Sequence, residues 1–296
     1  MWLKLLLVAF FLMSLLGAFV LAPKPQLRVN NNTVDARRPD SRRLRLLTWN
    51  IGNGDLESET RAHTEDLPAV ARVIKDNDPD AVALQELTGE DQLRLLLAHL
   101  SNRYRGYVCS PGSADRTDAV LVKDNSGDTA RTNRGRRRVD HDGDVRFSNV
   151  PAGDRFAAAV TFRLKTDLPQ IVLVSAHADA FSAARRRAFA EVVVDWARVQ
   201  PRNALVFIAG DFNLEVNTRN KNDLFTDDAK HDSESYAYLL KYFRDLGRDA
   251  GETSINDRRI DYVFGPETAS QSRAEVLRGA AVGRMDHLPL LVEVEL

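Results

Sequence analysis

Ala204-Leu205-Val206-Phe207-Ile208-Ala209-Gly210-Asp211-Phe212-Asn213 is an apolar run that ends in a carboxylate and an amide. A short apolar run bounded by glycine reads as a buried strand. Its polar end then emerges where a rigid sheet can hold a charged group at its rim. Downstream, Met285-Asp286-His287-Leu288-Pro289 opens a second such run, Leu290-Leu291-Val292-Glu293-Val294. Either motif alone is common in proteins. The weight comes from further runs of the same design.

Leu44-Arg45-Leu46-Leu47-Thr48-Trp49-Asn50-Ile51 alternates and ends in an amide before Gly52, a place where Asn50 also suits a simple turn. Asp80-Ala81-Val82-Ala83-Leu84-Gln85-Glu86-Leu87 delivers a Gln-Glu pair. Gln170-Ile171-Val172-Leu173-Val174-Ser175-Ala176-His177 is β-branched and ends in a histidine, which a core position would also accommodate. Arg258-Arg259-Ile260-Asp261-Tyr262-Val263-Phe264 sets one carboxylate among large apolar residues. Such a carboxylate is costly to bury unless paired, so Asp261 is expected to accept a hydrogen bond from His287. That pairing would fix the tautomer of the ring and favour its protonated form.

The order Trp-Asn, Gln-Glu, strand-end His, Gly-Asp-Phe-Asn, Arg-Ile-Asp-Tyr, Asp-His-Leu-Pro resembles the endonuclease/exonuclease/phosphatase superfamily, the DNase I-like and exonuclease III-like phosphoesterases. The resemblance covers residues 44–296. It implies an α/β fold, a two-layer mixed β-sandwich flanked by helices, with the site at one edge. It also implies a divalent-metal-dependent phosphoesterase that hydrolyses a phosphodiester by metal-assisted water attack, with Mg²⁺ as cofactor and Mn²⁺ as substitute.

Glu86 and the Asn50 carbonyl oxygen are the expected ligands, joined by Asp286, since Mg²⁺ keeps most of its waters and needs few carboxylates. Asp211 would activate or position the water, Asn213 and His177 would donate to phosphoryl oxygens, and Asp261 would orient His287. The general base lies on either the Asp211 or the His287 side. Asp118, in Thr117-Asp118-Ala119-Val120-Leu121, stands where relatives often carry an amide, which unsettles the phosphate contact there. Arg155 is a substitute contact, and Tyr107, in Tyr104-Arg105-Gly106-Tyr107, is a candidate on the substrate rim. Asp179 follows the strand-end histidine as a further ligand or as a partner for Arg185-Arg186-Arg187.

The chain has 296 residues, which suits one large domain, and a formal net charge of −1, so no global basic field advertises a nucleic-acid binder. Cys109 is the only cysteine, so no intrachain disulfide can form. Residues 5–21 are uncharged and reach the roughly 17–25 residues that span a bilayer. Pro23 disfavours cleavage after Ala22, so an uncleaved transmembrane anchor at 1–22 is preferred over a signal peptide. Residues 23–43 read as a polar linker, and the catalytic domain is expected outside the cytoplasm, membrane-anchored or secreted.

Helices are expected from Thr64 to Asp76, Glu90 to Leu100, Ser182 to Val199 and Asp232 to Leu246. Residues 123–150, with Arg134-Gly135-Arg136-Arg137-Arg138, read as an excursion between two strands, its basic run either a solvated face or a phosphate contact. Substrates consistent with these features are nucleic acid, or a phospholipid or inositol phosphate brought near by the membrane segment. A catalytically silent binding protein on the same fold is the alternative of another class. No feature calls for an obligate protein partner.

Overall fold

The computed structural model describes residues 42–52, 66–109, 117–124, 145–152, 155–165, 167–216, 229–254, 257–283 and 285–296. The anchor, nearly all of the linker and the Arg134–Arg138 run lie outside them. Among the described residues no helix is long and apolar enough to cross a membrane.

The strands are β1 (Arg43–Asn50), β2 (Ala81–Leu87), β3 (Tyr104–Val108), β4 (Thr117–Lys123), β5 (Arg146–Ala152), β6 (Arg155–Phe162), β7 (Gln170–His177), β8 (Ala204–Asp211), β9 (Arg244–Asp245), β10 (Asp261–Gly265), β11 (Ser270–Val276) and β12 (Leu290–Glu295). The helices are α1 (Leu67–Asn77), α2 (Glu90–His99), α3 (Ala183–Arg198) and α4 (Ala229–Leu239). The strands form two six-stranded mixed sheets, ordered β11-β12-β1-β2-β4-β3 and β5-β6-β7-β8-β10-β9. Each sheet has a parallel pair at its centre, β1 with β2 and β7 with β8, and antiparallel neighbours outside. A parallel pair needs a crossover, supplied here by α1 and α3.

Strand side chains alternate between faces, which divides the apolar residues into three layers. Leu44, Leu46, Ala83, Val120, Leu173, Ala209 and Val263 pack between the sheets. Leu47, Trp49, Val82 and Leu84 pack outward against Val70 and Ile74 of α1 and Leu93 and Leu96 of α2. Val172, Val174 and Ile208 do the same against Phe189, Val193 and Val194 of α3.

Two expectations need correction. The last helix ends at Leu239 rather than Leu246, and the chain turns through Tyr242 and Phe243, whose amides both return to the Leu239 carbonyl. Arg244 and Asp245 then pair with Gly265 and Phe264 as β9. The apolar spacing of Leu239, Phe243 and Leu246 suits a helix equally well, and the pairing with β10 overrides it. The structureless excursion is also shorter than expected, because its end forms β5. That edge strand is mostly exposed and carries Pro151, so it lacks the apolar alternation of a covered strand.

Candidate active site

The inter-sheet faces change character along their length. On β1 the inward residues run Leu44, Leu46, Thr48, Asn50, on β2 Ala81, Ala83, Gln85, and on β4 Val122, Val120, Asp118. The facing sheet repeats the gradient, with Ile171, Leu173, Ser175, His177 on β7 and Phe207, Ala209, Asp211 on β8. Register aligns the polar ends: Asn50 lies beside Gln85, His177 beside Asp211, and Asp211 beside Asp261. One end of the sandwich is therefore lined from both sheets by amides, carboxylates and imidazoles. Below it Gln85 Nε2 donates to Ser175 Oγ at 2.9 Å, which donates to the Leu84 carbonyl at 2.9 Å. This bond stitches the sheets where the apolar core stops.

Glu86 reaches this face through a break in pairing. The β2–β4 register shifts between Leu84 and Leu87, so Gln85 and Glu86 both stand opposite Asp118. Glu86 takes φ +61°, in the left-handed region, which a side chain adopts only at a cost and which here re-aims its carboxylate. Gly52 leaves room for it, since a Cβ there would overlap the Glu86 carboxyl. Gly210, at φ +152°, lets β8 approach β7 so closely that a Cβ would strike the Ala176 carbonyl.

The groups converge tightly. Asn50 Nδ2 donates to Glu86 Oε1 at 3.2 Å and to Asp211 Oδ2 at 3.1 Å. His177 Nε2 lies 3.6 Å from each of those carboxylate oxygens. His287 Nδ1 is 2.8 Å from Asp261 Oδ2, and its Nε2 is 3.6 Å from Asp211 Oδ2. Asp286 is half-buried, with Oδ1 4.0 Å from His287 Nε2. Asn213, at φ +51°, returns its amide N–H to Asp211 Oδ1 at 2.9 Å, and its Nδ2 donates to the Ala178 carbonyl at 3.3 Å. Arg155 Nη1 donates to the His177 carbonyl at 3.3 Å.

The residue not brought in is Tyr107. It pairs with Val120, one row deeper than Asp118, and its ring stacks on Phe147 with centroids 6.1 Å apart. Asp179 takes the arginine-partner role, its Oδ2 lying 3.5 Å from Arg185 Nη1, while its Oδ1 accepts from the amides of Phe181 (2.8 Å) and Ser182 (2.7 Å) just ahead of α3.

Burial and charge tune the cluster. Burial drives the Asp211 carboxyl up to about 7, while His287 restrains that rise and Asp261 adds to it. Burial opposes a charged His287, yet Asp261 and then Asp211 outweigh it and hold the imidazole well above its ordinary range. Asp118 is also pushed well above the carboxylate range, by burial first; Arg155 opposes that shift, and Glu86 and Asp211 add to it.

Asp211, Asp261 and His287 each bring a ligand atom within 4.8 Å of the others and could hold a metal ion. The Asp261–His287 hydrogen bond uses one ring nitrogen and one carboxylate oxygen of that group. The Glu86 carboxylate beside the Asn50 amide suits a hard cation and leaves that pair intact. As the amide lies, its oxygen accepts from the Gly52 N–H at 2.9 Å and its nitrogen faces the carboxylates. An Asn50 oxygen ligand therefore requires the amide to turn over.

The sequence model of the Endonuclease/Exonuclease/phosphatase family matches residues 47–282. The chain belongs to that family. Endonuclease/exonuclease/phosphatase proteins are phosphoesterases, so the convergent groups face the chemistry of phosphate esters. The fold is shared with solved structures. The endonuclease/exonuclease/phosphatase from Bacteroides vulgatus is 17% identical with a TM-score of 0.62, over 86% of this chain and 99% of that one. The human Nocturnin catalytic domain with bound sulfate is 17% identical with a TM-score of 0.61, over 86% and 94%. The Bacteroides thetaiotaomicron mannosyl-6-phosphatase is 17% identical with a TM-score of 0.59, over 85% and 99%. Comparison with curated proteins finds no match.

Several supporting residues of this family member have no role that the sequence pattern assigns. Thr253 Oγ1 accepts from the amides of Ile260 (3.2 Å) and Asp261 (3.0 Å), and its carbonyl accepts from Leu288 N–H at 2.7 Å, which joins the Asp261 and His287 segments. Trp49 faces the outer core, yet its indole N–H donates to the His287 carbonyl at 3.1 Å. Tyr262 O–H donates to the Leu214 carbonyl at 2.7 Å and steadies the turn after Asp211. The buried pair Arg258 Nε–Glu215 Oε2, at 3.0 Å, ties that turn to the strand carrying Asp261.

Proposed function

We propose that this chain is a divalent-metal-dependent phosphodiesterase acting on nucleic acid, with Mg²⁺ as its cation and Mn²⁺ able to replace it. The supporting observation is the meeting of Glu86, Asn50, Asp211 and His177 from both sheets, with the Asp261–His287 pair at their side. Glu86 and Asn50 would hold the cation, with Asp286 at its edge. When bound, the cation neutralises phosphoryl oxygens and supports the leaving oxygen.

The residues themselves divide the remaining work. Asp211 orients a water and takes its proton as the water oxygen bonds to phosphorus and the ester P–O bond breaks, its electron pair leaving on the alcohol oxygen, which takes a proton from solvent. His287, held as imidazolium between Asp261 and Asp211, donates to a phosphoryl oxygen where charge develops. His177 and Asn213 are further donors. Arg155 fixes the end of β7 through the His177 carbonyl and adds positive charge beside the substrate.

Nucleic acid is favoured by the loop after His177. Its Asp179-capped turn presents Phe181, 55% exposed, just ahead of the exposed Arg185, an aromatic face beside a cation. The apolar run at residues 5–21 favours the second reading, a phospholipid or inositol-phosphate esterase held near headgroups by a membrane anchor. The test is product release by the purified full-length chain from single-stranded DNA, RNA and phosphatidylglycerol vesicles, with Mg²⁺ or with EDTA. Metal-dependent release of nucleotides is expected. Release from vesicles alone selects the second reading, and no metal-dependent hydrolysis of any ester overturns both.

A further inference from the structure

Asp118 is a carboxyl group of the inner row to which nothing above gives a task. It begins the inward series of β4 and is 2% exposed. It stands opposite both Gln85 and Glu86, at the level of Asn50. Among the described residues its Oδ2 is buried and has no hydrogen-bond partner. Its backbone is secured by the edge strand's end, where its amide meets Cys109 Sγ at 3.3 Å and its carbonyl accepts from the Cys109 amide at 2.9 Å. A buried carboxyl oxygen left unpaired costs about 1–3 kcal/mol, so a donor that reaches Asp118 Oδ2 is favoured.

The surroundings limit what can fill that place. Glu86 and Asp211 raise the local negative charge, and Arg155 opposes it from the facing sheet. A cationic group approaching Asp118 would meet the Arg155 charge, and an anionic one would meet three carboxyl groups. A neutral donor meets neither penalty. A carboxyl oxygen accepts from such a donor in either protonation state. Asp118 and Arg155 lie on the β4–β6 side of the cluster, away from Asp261 and His287.

We infer that Asp118 is a specificity residue that accepts a hydrogen bond from a hydroxyl on the substrate's alcohol, next to the scissile phosphate. The inference rests on the phosphoesterase reading and sharpens it: the preferred ester is that of a sugar or polyol. A pocket built to bond a hydroxyl discriminates strongly against the same molecule without the donor, because its own polar group is then left unpaired.

The test uses the full-length chain with Mg²⁺ and two diesters sharing one leaving group, glycerol p-nitrophenyl phosphate and its di-O-methyl ether. The same comparison is made with thymidine 5′-(p-nitrophenyl phosphate) and its 3′-O-methyl ether. The native chain is expected to favour the free hydroxyl by about tenfold or more in kcat/KM. Asp118→Leu should abolish that preference, and Asp118→Asn, which keeps one acceptor oxygen, should retain part of it. The series with the larger preference identifies glycerol or pentose as the alcohol.

Equal rates for capped and free esters in the native chain overturn the role of Asp118 without any variant. A preference that survives in a folded Asp118→Leu also overturns it. Failure of the native chain to hydrolyse any of the four esters would instead bring down the phosphoesterase reading on which the inference rests.

Discussion

Asp261 Oδ2 lies 2.8 Å from His287 Nδ1 at the inner edge of the second sheet, both residues buried. The contact joins a strand-borne carboxylate to a residue held by a loop, and both segments are anchored on Thr253. An imidazole bound at one nitrogen presents the other, here Nε2, in a defined direction. His287→Ala should therefore lower turnover by about 10²–10³, the range for losing one donor to developing charge. Asp261→Asn should cost part of that factor. In the double variant the losses should be markedly less than additive; full additivity would mean that the two residues act independently.

Glu86→Gln should leave the fold intact and weaken the response to cation. The substitution keeps the shape and removes one negative charge from the oxygens facing Asn50 and His177. Calorimetric titration with Mg²⁺ should show at least a tenfold loss of affinity. Unchanged affinity would remove Glu86 from the cation site.

Gly52→Ala should reproduce much of that loss by a different route. The added methyl overlaps the Glu86 carboxyl, which must swing away from Asn50. A weakened Mg²⁺ response with a near-native melting temperature is expected, because the displaced group is a side chain. Gly210→Ala instead strikes the Ala176 backbone at a positive φ, so it should unfold the chain more readily, by about 3 kcal/mol or more for combined strain and overpacking.

The cation-free chain should lose stability as pH rises. The folded Asp211 carboxyl is raised to about 7, above its unfolded value of about 4, so between these values the folded state binds more protons than the unfolded one. Its contribution is therefore most favourable below that window and is lost as pH climbs through it. His287, raised in the same direction, extends the decline to higher pH. Asp211→Asn should be more stable than the native chain at pH 8 by about 1–3 kcal/mol, because it removes a charge that burial disfavours, and the gap should shrink toward pH 5. A gap that widened on acidification would contradict the proposed burial of charge.

Much of this architecture was legible because strands whose ends carry function still have apolar bodies. Residues 170–177 and 204–211 read correctly as strands, since β-branched and aromatic runs of that length leave little else. The edge strands did not. Tyr104–Val108 and Arg146–Ala152 are covered on fewer sides, so their composition follows solvent as much as pairing. Within the cluster, Asn50, Glu86, His177 and Asp211 were visible as polar ends of apolar runs. Asp118 has the same signature, a carboxylate opening Ala119-Val120-Leu121-Val122. Its burial depends on the β2–β4 pairing, which no local pattern reveals. Thr253 left no trace, because a hydroxyl serving two distant amides has no period.

The bond from Trp49 to the His287 carbonyl makes the site optically readable. The indole is fully buried, and its N–H reports on the backbone of the residue that would face substrate phosphate. Of the three tryptophans, Trp2 lies in the N-terminal segment and Trp196 on α3, on the other sheet's outer face. In a Trp2→Phe, Trp196→Phe background, a shift of the His287 segment would alter a single emission band. Cation or phosphate titrations could then be followed without label or turnover, and His287→Ala would serve to separate motion of the chain from quenching by the ring.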